Sequence, residues 1–248
     1  MADHAGRPLD SIALARLRRE IDSLKNACVP EYWAATAALS GIMFEPDATK
    51  TAAKNALRLG GNNANIVVNC ALALARAGLL RESLETMSNA AETMRGDPDI
   101  WERVLEISRE TGQLSLYLRA AAHLATLGRP VESPDLMLKV ANVLRANNFS
   151  EEQLMELLCS VKAFFAAEKA RDESCTYFVI KPQKGVGGRV SISYKFIKST
   201  KQILELERKL FDHLALVSLP IETSDVVTLS LGHVAAGKAD DDPAKAAA

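Results

Sequence analysis

Aromatic side chains are scarce. Phe, Trp and Tyr together make up 5% of the 248 residues, while Ala and Leu abound, which favours helices over an all-β sandwich. The four cysteines, Cys28, Cys70, Cys159 and Cys175, lie far apart with no CxxC pair. That excludes a disulfide framework and a zinc site read from spacing. The four histidines, His4, His123, His213 and His233, are scattered, with no HExxH, no GxSxG serine elbow and no cysteine–histidine signature nearby. No catalytic residue, metal or cofactor is therefore expected, and the chain reads as non-enzymatic. No run reaches the roughly 18 apolar residues that a membrane span requires. The N-terminus lacks a basic segment followed by an apolar one, so a cytoplasmic protein without membrane attachment is expected. Thirty basic against thirty-one acidic residues leave a net charge of −1, so no overall field recruits nucleic acid or anionic lipid.

What the chain does have is a period. An apolar fraction of 48% with 25% charged residues is that of a globular protein, and the length allows one large domain or two small ones. Four short segments resemble one another: Val29-Pro-Glu-Tyr-Trp33, Asn63-Ala-Asn-Ile-Val67, Asp97-Pro-Asp-Ile-Trp101 and Ser133-Pro-Asp-Leu-Met137. Their second residues follow one another at intervals of 34, 34 and 36. Each has the chemistry of a helix start. Asn63, Asp97 and Ser133 can cap free amides, and proline at the first helical position gives up a donor the helix cannot use. Gly78 and Gly112, again 34 apart, break the second and third units, and Asn147-Asn148 breaks the fourth. The pattern predicts helices over 31–43 and 48–59, 64–77 and 81–94, 98–111 and 114–127, and 134–146 and 150–170. An amphipathic helix over 9–27, with a stripe of Ile12, Leu14, Leu17, Ile21 and Leu24, precedes them and is expected to cap the array.

A 34-residue helical hairpin resembles the unit of the tetratricopeptide repeat family, over residues 30 to about 168. The family's bulky fourth position holds Trp33, Val67, Trp101 and Met137. Its small eighth position holds Ala37, Ala71, Leu105 and Ala141, so the third unit departs. Gly78 and Gly112 match the glycine of the hairpin turn, where Phe44 and Asn148 stand in the outer units. The resemblance implies stacked hairpins whose first helices line a concave groove that holds a peptide or protein partner. It places Asn65, Val68, Asn69, Leu72 and Arg76 in that groove from the second unit. The third unit contributes Asp99, Glu102, Arg103, Glu106 and Arg109, and the fourth Asp135, Leu138, Lys139, Asn142 and Arg145. An adaptor or scaffold is the function this implies, with both signs of charge along the groove.

After residue 172 the pattern changes. Residues 175–182 are β-branched and aromatic, and 189–197 alternate, with Val190, Ile192, Tyr194 and Phe196 on one face. A glycine-rich stretch, 183–188, reads as the loop between two strands. An amphipathic helix over 199–217, with Ser199 or Thr200 as its cap, and a strand over 225–233 complete a β-β-α-β module. The expected class is α+β: a helical repeat domain over 1–172, a small module over 173–236 leaning on the last repeat helix, and a disordered tail over 237–248. From Cys175 to Lys201 the segment carries Lys181, Lys184, Arg189, Lys195, Lys198 and Lys201 and no acid. A basic hairpin with interleaved aromatics offers a second reading, a nucleic-acid-associated regulator. The sheet edge offers a route to an oligomer.

Overall fold

A computed structural model describes residues 11–131, 134–180, 188–217 and 226–234. Among them ten helices precede or cross a small three-stranded sheet, an α+β architecture. Helix α1 (Ser11–Ala27) seats Ile21 against α2 (Val29–Ile42) and leaves Ile12 exposed. Then come α3 (Pro46–Gly60), α4 (Ala64–Arg76), α5 (Leu80–Thr93), α6 (Pro98–Thr111), α7 (Leu114–Thr126), α8 (Asp135–Ala146) and α9 (Glu151–Ala167). The strands are β1 (Asp172–Ile180), β2 (Arg189–Phe196) and β3 (Val227–His233), with α10 (Thr200–Leu216) between the last two. No helix among the described residues is long and apolar enough to cross a membrane. The proposed tail, 237–248, lies outside the described residues.

Two of the four helix starts have the caps the sequence calls for, while in α8 Pro134 stands at the cap position rather than inside the first turn and no side-chain cap forms. Asn63 accepts from the Asn65 amide at 3.0 Å, and Asp97 accepts from the amides of Asp99 and Ile100. Ser133 lies outside the described residues, and α2 begins after Cys28 with no side-chain cap. Ser150 with Gln153, and Ser199 with Gln202, form full capping boxes on α9 and α10.

The period also appears in the backbone. Phe44 (φ 57°), Gly78 (φ 82°), Gly112 (φ 71°) and Asn148 (φ 55°) all take the left-handed conformation, at intervals of 34, 34 and 36 residues. After each, the next amide reaches back five residues: Glu45 to Ser40, Leu79 to Leu74, Gln113 to Ser108 and Phe149 to Leu144, at 2.9–3.0 Å. These four helices thus end in a Schellman-type turn, which satisfies a carbonyl the helix leaves free; α7 at Gly128 and α9 at Lys169 end in the same way, outside the period. Phe44 and Asn148 perform the turn that glycine performs in the middle units.

The first three pairs stack. Helix α2 packs on α3 and α4, α4 on α5, α5 on α6, and α6 on α7. The first core is built of small residues, with Ala37, Ala52, Ala53 and Ala56 almost wholly buried, so the helices approach closely. A Cβ on Gly41 would lie 2.5 Å from the Ala73 carbonyl oxygen. A second core gathers Val67, Leu80, Met87, Ile100, Trp101 and Leu124. Trp101 is an anchor there, donating from Nε1 to the Arg95 carbonyl at 3.0 Å and packing on the His123 ring.

The fourth pair differs from the stacked hairpin that the spacing predicts. Helix α8 packs against α7, β1 and β2, while α9 turns away to pack on α5, α6 and α10. Leu154 and Leu158 of α9 lie over Gly112, and Ala163 and Ala166 lie over Gly78. Helix α9 therefore runs back along the row of hairpin turns, close to two glycines that have no side chain to obstruct it. Its opposite side joins the largest core, where Val161, Phe164 and Phe165 meet Tyr177, Val190, Ile192, Tyr194, Phe196 and Leu210.

In the sheet, β1 pairs antiparallel with β2, and β3 pairs parallel with β2. The alternation in β2 is realised fully: Val190, Ile192, Tyr194 and Phe196 are buried, while Lys195 is exposed on the other face. Strand β1 begins at Asp172, three residues before the predicted start. The glycine-rich segment is described only at Gly188, whose carbonyl accepts from Asn147 at 3.1 Å.

Candidate functional site

The predicted groove residues of the second and third units lie on α4 and α6. On α4, Asn65, Asn69 and Arg76 are exposed, and Val68 and Leu72 are half-buried beside them on the same stripe. Neither Asn69 nor Arg76 has a side-chain hydrogen bond or ion pair with another described residue. On α6 the predicted charges are largely satisfied at home. Arg103 pairs with Glu106 at 2.5 Å, and Arg129 holds Asp99 and Glu102 at 2.8 and 2.9 Å. Val68, Leu72, Arg103 and Glu106 share a shallow hollow between the two helices. Leu138, Lys139, Asn142 and Arg145 are exposed on α8, and none of them lines either hollow. Arg145 donates to Asn142 at 3.3 Å. The structure thus brings Val68, Leu72, Arg76, Arg103, Glu106 and Arg109 to the two hollows and leaves Asn65, Asn69, Asp99, Glu102 and the residues of the fourth unit outside them.

Beyond Leu72 the α4 stripe opens into a cavity of about 880 Å³. Its floor is formed by the ends of α2, α4 and α6, which bring Ile42, Ala75, Arg76, Arg109 and Glu110 together. The far side is α9, residues 169–176, and the link between β2 and α10. Arg76 and Arg109 were legible as groove residues. Lys162, Lys169, Arg171 and Asp172 were not. The signal for Lys162 was present: it interrupts an apolar stripe of Leu158, Val161 and Phe165, where a charge needs a buried partner.

That partner is Asp172. Lys162 Nζ donates to both Asp172 carboxylate oxygens at 2.8 and 2.9 Å and lies 3.6 Å from Glu110. The ammonium also sits 5.6 Å from the centre of the Tyr194 ring. Burial alone pulls the Lys162 pKa down, but Glu110 and Asp172 outweigh it and hold it above the ordinary lysine value. Three elements, α6, α9 and β1, are tied by this one cation. Tyr177 adds a second tie, its hydroxyl donating to the Arg109 carbonyl at 2.5 Å.

The rest of the cavity's charge is not compensated. The Arg76 guanidinium is held below its usual pKa, first by burial and then by repulsion from Arg171. Arg171 reaches Glu173 only at 3.9 Å, and the buried Arg109 Nε has no hydrogen-bond acceptor. Burial pushes the Cys175 thiol up to about 12 against the opposing pull of Lys162, so it stays protonated at neutral pH. Among the described residues no cluster of His, Cys, Asp and Glu is placed to hold a metal ion.

The basic hairpin residues do not form one patch. Lys181 and Lys184 lie outside the described residues. Arg189 is half-buried at the start of β2, Lys195 projects from the outer sheet face, Lys198 lines the cavity, and Lys201 is exposed on the first turn of α10. Tyr177, Tyr194 and Phe196 are buried, leaving Phe178 as the exposed aromatic of the strands. Comparison with known proteins adds no relative: no family model, no curated protein and no solved structure matches the chain.

Proposed function

We propose that the protein is a non-enzymatic adaptor whose tetratricopeptide-like hairpins hold a peptide or protein partner against α4 and α6. The observation that carries this reading is the α4 stripe. Asn65, Asn69 and Arg76 alternate with half-buried Val68 and Leu72 along the open face of one helix. The asparagine amides offer paired donors and acceptors to a partner's backbone, and the apolar pair supplies area to bury. The fourfold turn period and the stacking of α2–α7 support the repeat assignment. A cytoplasmic location accords with this reading.

Affinity capture from the native host tests it. Wild type is expected to recover a stoichiometric partner, lost on Asn69→Ala combined with Leu72→Ala and retained on Lys195→Glu. Retention in the α4 variant, with loss on Lys195→Glu, would move the binding surface to the sheet and favour a nucleic-acid or sheet-edge contact instead.

A further inference from the structure

The cavity beyond Leu72 shares Leu72 and Arg76 with the α4 stripe but carries a chemistry of its own. Five cations from four segments converge on it: Arg76, Arg109, Lys169 with Arg171, and Lys198. A sixth, Lys162, is already engaged by Asp172 and Glu110. The remaining acid of the lining is Glu173, at the limit of ion-pair distance from Arg171.

Helix ends account for part of this excess. The C-termini of α2, α4 and α6 meet at the floor, and each carries a partial negative charge of at most about one half. Their Schellman turns already tie up carbonyls, which reduces what those ends demand from a cation. Positive charge is left over, and two features locate it. Arg76 and Arg171 repel each other across the cavity, and the Arg109 Nε is buried without an acceptor. A half-buried guanidinium with one nitrogen short of an acceptor favours an oxygen beside it.

The other half of the lining is apolar: Ile42, Phe44, Leu72, Ala75, Phe165 and Ile197. A volume of about 880 Å³ suits a compact molecule of ordinary ligand size. From these observations we infer that the cavity binds a small amphipathic anion, with one oxyanion group set among Arg76, Arg109 and Arg171 and an apolar body laid against the helix wall. The oxyanion is a carboxylate or a phosphate, since guanidinium forks match both. Such a ligand would bridge the helical hairpins and the β1 region, so its binding should stabilise the whole fold.

The probes are decanoate and decyl phosphate, with decanol as the uncharged control, titrated calorimetrically into the full chain below micelle-forming concentrations. Saturable binding near one molecule per chain is expected for one or both anions, with a raised melting temperature, and at least tenfold weaker binding of decanol. The preferred anion identifies the headgroup. Arg171→Gln and Arg109→Gln should each weaken binding about tenfold or more while the protein still melts cooperatively. Arg171 is exposed at its site, so that variant is read even where Arg109→Gln lowers stability. No saturable binding of either anion, equal binding of decanol, or unchanged binding in Arg171→Gln would overturn the inference. Leu72 belongs to both surfaces but Arg171 does not, so Arg171→Gln tells the two readings apart: it should lose the anion and keep the captured partner.

Discussion

Gly112→Ala is expected to destabilise the protein by about 2–5 kcal/mol, through two costs that add at one position. The first is conformational: φ is +71°, where an L side chain meets its own carbonyl. The second is steric, because the new Cβ would lie 2.6 Å from Cγ and Cδ2 of Leu154, which α9 lays over the turn. Gly128 separates the two. It has a φ of +78° but nothing within 4 Å of an added Cβ, so Gly128→Ala is expected to show only the backbone cost of about 1–2 kcal/mol. Urea denaturation of both variants measures the difference. Equal losses would mean that α9 does not press on the hairpin turns.

The second large effect belongs to Lys162. Its side chain is 10% exposed and that of Asp172 14%, so Lys162→Met strands a carboxylate in a largely dry place. A loss of about 2–4 kcal/mol is expected, somewhat below that of a fully buried pair broken from one side because Asp172 keeps some exposure. The double change Lys162→Met with Asp172→Leu should recover much of it, because the more buried of the two carboxylates is then gone and Glu110, its side chain 33% exposed, keeps access to water. The pH dependence has a definite sign. The folded-state pKa is raised, so the contribution of Lys162 is complete below the unfolded lysine value of about 10.4. It declines as pH rises from there through the higher folded value. The stability gap between wild type and Lys162→Met should therefore be full at pH 7 and shrink in alkali. A gap that grew with pH would contradict the assignment of Lys162 as the stabilised cation.

Much of the helical layer was legible because its signals are local. Asn63 and Asp97 are helix caps by their chemistry alone, Gly78 and Gly112 turn because glycine tolerates positive φ, and the alternation of β2 dictates which face is core. Phe44 and Asn148 were harder to assign, since a side chain at a left-handed position conceals the role that glycine advertises. The course of α9 was legible only in part: its contact with the C-terminal module was expected, its return along the hairpin turns was not. Its periodicity reports an apolar face without saying whether α8 or the hairpin turns will cover it. For the same reason the cavity escaped the sequence: Arg76, Arg109 and Arg171 lie far apart in the chain and meet only because α9 carries residues 169–171 back toward Phe44. Charges on helices read as solvated faces until folding determines what stands opposite them.

The central claim is that a partner lies along α4, and a photo-crosslinking amino acid tests it where the contact would be. Placed at position 69, it should join the captured partner on irradiation, and placed at position 195 it should not. A partner crosslinked from position 195 and never from 69 would contradict the account.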